Sequence, residues 1–162
     1  MNTKYSRRIF LAGLATLVAA RALRGATRRL AVQSHPVALD HVTATTKALT
    51  ITPGRWKIIV GHHSGTVVGN AAIFNRYHRS HGMKHGLAYH FVIGIGICCV
   101  GNFEETQPTP AQLRSFIALV EYLKTDVIKT PVRFAVHREI NPGRTVCPGR
   151  NFPIASMHAR FD

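Results

Sequence analysis

Acidic residues are scarce in this chain of 162 residues: Asp and Glu number 7, against 21 Lys and Arg. The formal charge of +14 therefore favours polyanionic partners, whether nucleic acid, anionic lipid or an acidic cell wall. Cysteine is sparse as well, present only as Cys98, Cys99 and Cys147. No CxxC pair or HExxH helix supplies a local metal signature. The chain shows no basic helix with base-reading spacing and no aromatic-studded RNA motif, which argues against nucleic acid as the partner. Internal repeats and low-complexity blocks are absent too. The apolar run Ile9–Ala20 has twelve residues, well short of the about 20 that cross a bilayer as a helix.

What is present is a globular composition, 46% hydrophobic and 17% charged, in a length that suits one compact domain. Lys4, Arg7 and Arg8 precede the apolar run, and Ala20-Arg21-Ala22 follows it with small residues at signal-peptidase spacing. That order predicts a secretory signal over residues 1–22. Ser6-Arg7-Arg8-Ile9-Phe10-Leu11 resembles the twin-arginine export signal, with an ordinary secretory signal or an uncleaved N-terminal anchor as the alternatives. Cleavage after Ala22 removes four basic residues and no acidic one, taking the formal charge from +14 to +10. The odd cysteine count then leaves at least one thiol to explain in an exported protein.

Residues 23–50 carry many Ala, Thr and Arg with no clear period and read as a linker into a domain over 51–162. Trp56–Gly61 predicts a short buried strand opened by Pro53-Gly54. Ile73, Phe74 and Tyr77 stand at helical spacing within 70–80. Ala88–Val100 is apolar, as one strand or as two joined at Gly94–Gly96. Thr109-Pro110-Ala111-Gln112 is a capping box with proline at the first helical position. Leu113, Phe116, Ile117, Val120 and Leu123 continue it as one apolar stripe. Pro131–Val136 predicts a last strand. The order is α/β: a single domain with a mixed central sheet flanked by helices.

Two of these strands run into histidine, His62 and His137, and Cys147 follows ten residues after the second. Two imidazoles and one thiolate at rigid strand ends suit a catalytic zinc, with three protein ligands and a fourth position open. An open site lowers the pKa of water and polarises an amide carbonyl. The competing reading takes them as surface or core residues in a chain with ten histidines.

Five segments occur in a telling order: Ile58–Gly65, Gly86–Gly94, Ile95–Phe103, Val136–Glu139 and Thr145–Gly149. Together they resemble the N-acetylmuramoyl-L-alanine amidase family, which includes phage lysozyme-like amidases and peptidoglycan recognition proteins. The resemblance implies zinc ligands at His62, His137 and Cys147, and a catalytic tyrosine at Tyr89 that holds the zinc-bound water or the developing oxyanion. It places a polar residue with the same task at Thr145, which donates a hydrogen bond but brings no charge. His63 is expected to face away from His62 by strand alternation. The implied reaction is zinc-dependent hydrolysis of the amide between N-acetylmuramic acid and L-alanine. The implied partners are peptidoglycan or muropeptides, in the periplasm or at the cell wall.

The family pattern is interrupted once. Gly94 runs directly into Ile95 where about thirty residues of the family's pattern are missing, a length that removes a sheet strand rather than a loop. The expected fold is therefore the amidase fold short of about one central strand. A non-catalytic peptidoglycan-binding module, or an inactive truncated relative, is the alternative function.

Overall fold

A computed structural model describes residues 37–84, 86 and 94–162 of the protein, which form one compact unit. The export signal expected over residues 1–22, the start of the expected linker and Tyr89 lie outside the described residues.

The sheet is built around β1 (Ile58–His63), whose run of β-branched residues suits a pleated, buried surface. β1 pairs in parallel with β2 (Gly94–Cys99) on one side, His62 opposite Cys98. On the other side it pairs in parallel with β3 (Arg133–Val136), Gly61 opposite Val136. The order β2-β1-β3 makes β1 central, and parallel pairing on both sides explains why it reads as a continuous apolar run. β2 begins at Gly94 and carries Gly96 within it, and the part of the expected Ala88–Val100 stretch before Gly94 lies outside the described residues.

Helices cover the sheet. α1 spans Asp40–Lys47 and α2 spans Ala71–Ser80, the latter capped by Asn70, whose side chain accepts the Ile73 N–H. α3 (Pro110–Tyr122) begins with the capping box that the sequence spells: Thr109 and Gln112 each satisfy the other's backbone N–H. Its Phe116, Ile117 and Val120 are buried, and a π-helical turn, Leu123–Ile128, extends it. α4 is the short helix His137–Ile140, and α5 (Ile154–Phe161) closes the described chain.

The core gathers Phe103, Phe116, Phe134, Phe152 and Phe161 around Ile59 and Val120. Phe116 meets Phe134 and Phe152 edge-on, at centroid distances of 6.0 and 5.4 Å. Gly61 makes this approach feasible: a Cβ there would lie 3.1 Å from the Phe116 ring and 3.3 Å from that of Phe134. The residue before His62 is thus pinned by aromatic packing.

α1 falls inside the stretch expected as a linker. Its sequence carries three threonines, poor helix formers that leave no apolar stripe. What holds it is tertiary and local bonding: Thr45 and Thr46 hydroxyls donate to the His41 and Val42 carbonyls, and Thr46 Oγ1 bonds the Tyr122 hydroxyl at 2.7 Å. α5 likewise went unanticipated, although Met157 and Phe161 bury one face of it. Among the described residues, no helix is long and apolar enough to cross a membrane.

Candidate functional site

A sheet in the order β2-β1-β3 reverses its winding between β1 and β3. Crevices for ligands open at the carboxyl ends of strands at such a reversal. His62 is the fifth residue of the six-residue β1, and His137 directly follows β3, opening α4. The topology therefore delivers two imidazoles to the place where an α/β sheet offers a site. Their ring centroids lie 4.7 Å apart.

Cys147 arrives from the loop after α4. The Arg138 N–H donates to the Cys147 carbonyl at 2.8 Å, tying the loop back to the residue next to His137. Cys147 Sγ lies 3.7 Å from His62 Nδ1 and accepts the His63 backbone N–H at 3.3 Å. One potential ligand atom from each of His62, His137 and Cys147 lies within 4.8 Å of the others. The edge of a zinc tetrahedron between sulfur and imidazole nitrogen is about 3.5 Å, from bonds of about 2.3 and 2.0 Å. The 3.7 Å separation of Sγ and Nδ1 fits that edge, and the N, N, S donor set fits zinc chemistry.

The protonation states follow from burial. Desolvation pushes the Cys147 thiol up to about 11, against a smaller opposing effect of the His63 N–H. Cys147 is therefore a thiol at neutral pH until something replaces its proton. Burial also lowers the pKa of His137, which keeps its ring neutral and its lone pair available. The Asn141 side-chain N–H donates to His137 Nε2 at 3.2 Å. Asn141 is a contact that sequence reasoning did not single out; its spacing four residues from His137 was the available signal.

His63 turns the other way. Its Nδ1 accepts the Phe103 N–H at 3.1 Å and its ring packs 5.9 Å from that of Phe103, so it braces the loop after β2. Desolvation lowers its pKa, partly offset by Glu104. Thr145 is half-buried, and its hydroxyl accepts the Cys147 N–H at 3.1 Å, which leaves its own proton free to donate. Tyr89 lies outside the described residues. The remaining cysteines sit in β2, where Cys99 is buried with a thiol pushed up to about 12 by desolvation and by Cys98. None of Cys98, Cys99 and Cys147 is in a disulfide.

A separate apolar cavity of about 660 Å³ lies among α1, β2 and α3, lined by Val42, Leu49, Trp56, Phe74, Ile95 and Leu119 among others. It includes none of the three clustered residues and offers no titratable group except His41 and Cys98.

Residues 94–150 match the N-acetylmuramoyl-L-alanine amidase family. The matched segment contains His137, Thr145 and Cys147, and His62 precedes it. No curated protein matches the chain. Among solved structures, the chain resembles the endolysin N-acetylmuramoyl-L-alanine amidase LysCS from Clostridium intestinale URNW. The likeness has 26% identity and a TM-score of 0.55, over 65% of this chain and 83% of that one. The N-acetylmuramoyl-L-alanine amidase LysC from the same organism matches with 26% identity and a TM-score of 0.55, over 65% and 85% of the two chains. The shared fold is a mixed α/β domain, and the part of those chains left uncovered fits a sheet here that is short of one strand.

Proposed function

The chain belongs with the N-acetylmuramoyl-L-alanine amidases, and from that premise we propose that it cleaves the amide joining N-acetylmuramic acid to L-alanine in peptidoglycan. The convergence of His62, His137 and Cys147 at the β1/β3 reversal carries this reading. In it, those three residues hold a zinc ion. When bound, zinc supplies Lewis acidity toward the amide carbonyl and activates water at neutral pH.

The chain's own residues do the rest. Burial keeps His137 neutral, with a lone pair to offer a metal. The His63 backbone N–H, 3.3 Å from Sγ, stabilises the Cys147 thiolate once its proton has left. Thr145 donates its free O–H toward the carbonyl oxygen as negative charge develops there, and Tyr89 does the same from the segment before β2. Water oxygen bonds to the carbonyl carbon, the C–N bond breaks, and a proton passes to the departing alanine amine. Residues 1–22 export the protein by the twin-arginine route, and peptidoglycan is the substrate met outside the cytoplasm. The excess of basic residues favours adhesion to anionic wall polymers.

The test is the chemistry of the products. Purified peptidoglycan incubated with the protein should yield stem peptides bearing a free N-terminal L-alanine, detected by mass spectrometry, with glycan strands uncut. New reducing ends without free alanine amines would assign a glycosidase instead. A second reading, binding without cleavage, is favoured by the missing strand, which takes away part of a groove wall. Sedimentation with peptidoglycan and no peptide release would select it.

A single substitution tests the tyrosine's role. Tyr89→Phe should lower turnover by about a hundredfold with zinc retained, and equal turnover in the two proteins would end its proposed role.

A further inference from the structure

β3 is an edge strand of the described sheet, and an unpaired edge leaves alternate backbone groups without a strand partner. The Arg133 N–H turns toward β1, donating to the Lys57 carbonyl at 3.2 Å. By alternation, the N–H groups of Phe134 and Val136 point outward. Both are received by carboxylates. Phe134 donates to Asp162 Oδ1 at 3.4 Å, and Val136 donates to Glu139 Oε2 at 2.9 Å.

One imidazole joins those two carboxylates. His158 Nδ1 lies 2.6 Å from Asp162 Oδ2, and its Nε2 lies 2.9 and 3.1 Å from the two oxygens of Glu139. Both ring nitrogens face carboxylates, and the pKa of His158 is raised, chiefly by Asp162 and then by Glu139. The ring also packs 5.5 Å from that of Phe134, and Lys124 donates to the Phe161 carbonyl beside it. The end of α5 thereby meets β3 directly at the Phe134 N–H through Asp162, and at the Val136 N–H through Glu139 of α4, which His158 holds. The second, Val136, is the residue immediately before His137.

We propose that His158 is a positioning residue: by bridging Asp162 and Glu139 it fixes the turn from β3 into α4, and so aims His137 at His62 and Cys147. It touches neither the substrate nor the three clustered residues. Glu139 is the lever, because its carboxylate both caps α4 through the Val136 N–H and receives the His158 ring. Without His158, that carboxylate is free to swing to solvent. The cap then loosens, and the His137 ring loses the backbone that orients it.

The inference rests on His137 being a zinc ligand, and the experiment separates the two. Zinc alone is titrated into the metal-free protein against a chromophoric chelator, well below each variant's thermal midpoint. His158→Ala and Glu139→Gln should each raise the zinc dissociation constant about tenfold, in line with losses of groups behind a ligand. The double variant should match the single ones rather than multiply them, because both act through one device. Met157→Ala removes a buried neighbour on the same helix without touching Glu139, so it should lower the thermal midpoint and leave zinc affinity unchanged. Where His158→Ala does not fold, Asp162→Asn reads the same bridge from its other end. Unchanged zinc affinity in a folded His158 or Asp162 variant overturns the proposal, as does equal weakening by Met157→Ala. If His137→Ala itself leaves zinc affinity unchanged, the ligand assignment fails and the positioning role falls with it.

Discussion

Replacing Cys147 by alanine is expected to strip the protein of zinc and of hydrolysis together. Its sulfur is the one soft donor of the cluster, 3.7 Å from His62 Nδ1, and two imidazoles alone fall short of the three protein ligands that a catalytic zinc requires. Structural zinc sites derive about 10 kcal/mol or more from their full ligand set. Losing a thiolate should therefore weaken binding by about a thousandfold or more, enough for zinc to leave during dialysis. The fold should survive, because the change deletes one buried atom, a loss of about 1 kcal/mol by comparison with small core truncations. Metal analysis after dialysis, circular dichroism and peptide release on one preparation make the comparison. Equal zinc content in variant and parent would remove Cys147 from the ligand set.

Gly149→Ala is the substitution expected to damage the architecture most for its size. Gly149 has φ +99°, a backbone conformation that costs an L-residue about 1–2 kcal/mol even where space is free. Space is not free here. A Cβ would lie 2.3 Å from the Phe103 carbonyl carbon and 2.6 Å from the Glu104 nitrogen, both backbone atoms with no rotamer to yield.

This contact is where the Cys147 loop clasps the loop after β2. Asn151 donates its N–H to the Phe103 carbonyl at 2.9 Å, and Arg150 and Asn151 side chains donate to the Glu104 carbonyl at 2.9 and 3.1 Å. Prising the clasp apart moves Cys147 relative to His62 and frees the Phe103 N–H that orients His63. A destabilisation of about 3 kcal/mol or more is expected, lowering the thermal midpoint by roughly 10 °C for a domain of this size. Zinc affinity should fall with it. A variant with the parent's midpoint and metal content would show that the clasp does not position the cysteine.

The parts of this molecule that were legible in the sequence are those where local chemistry and tertiary structure agree. Thr109, Pro110 and Gln112 announce the start of α3, and their capping box forms as spelled. The β-branched run ending at His62 and the shorter run ending at Val136 become the two neighbouring parallel strands. Their adjacency places His62 beside His137, and the loop of Thr145–Gly149 carries Cys147 to them. The single domain of mixed α/β character, short of one strand, was equally readable from the order of the elements and from the join at Gly94 and Ile95.

What was not legible depends on partners distant in sequence. α1 is a threonine-rich segment with weak propensity, and its Thr46 meets Tyr122 across 76 positions. α5 carries its apolar contacts at Met157 and Phe161, too few to stand out as a stripe. The bridge of Glu139, His158 and Asp162 joins residues that are unremarkable one at a time. Asn141 falls between the segments Val136–Glu139 and Thr145–Gly149, and its contact with His137 depends on the turn of α4.

The central claim is that three residues gathered at the β1/β3 reversal hold a zinc ion that cleavage of peptidoglycan requires. Zinc per chain should be measured on the purified protein, alongside peptide release before chelation, after chelation and after zinc is restored. The account predicts one zinc per chain, release lost on chelation and recovered with zinc. Peptide release that persists in fully metal-free protein, or zinc bound with no release from any peptidoglycan, would contradict it.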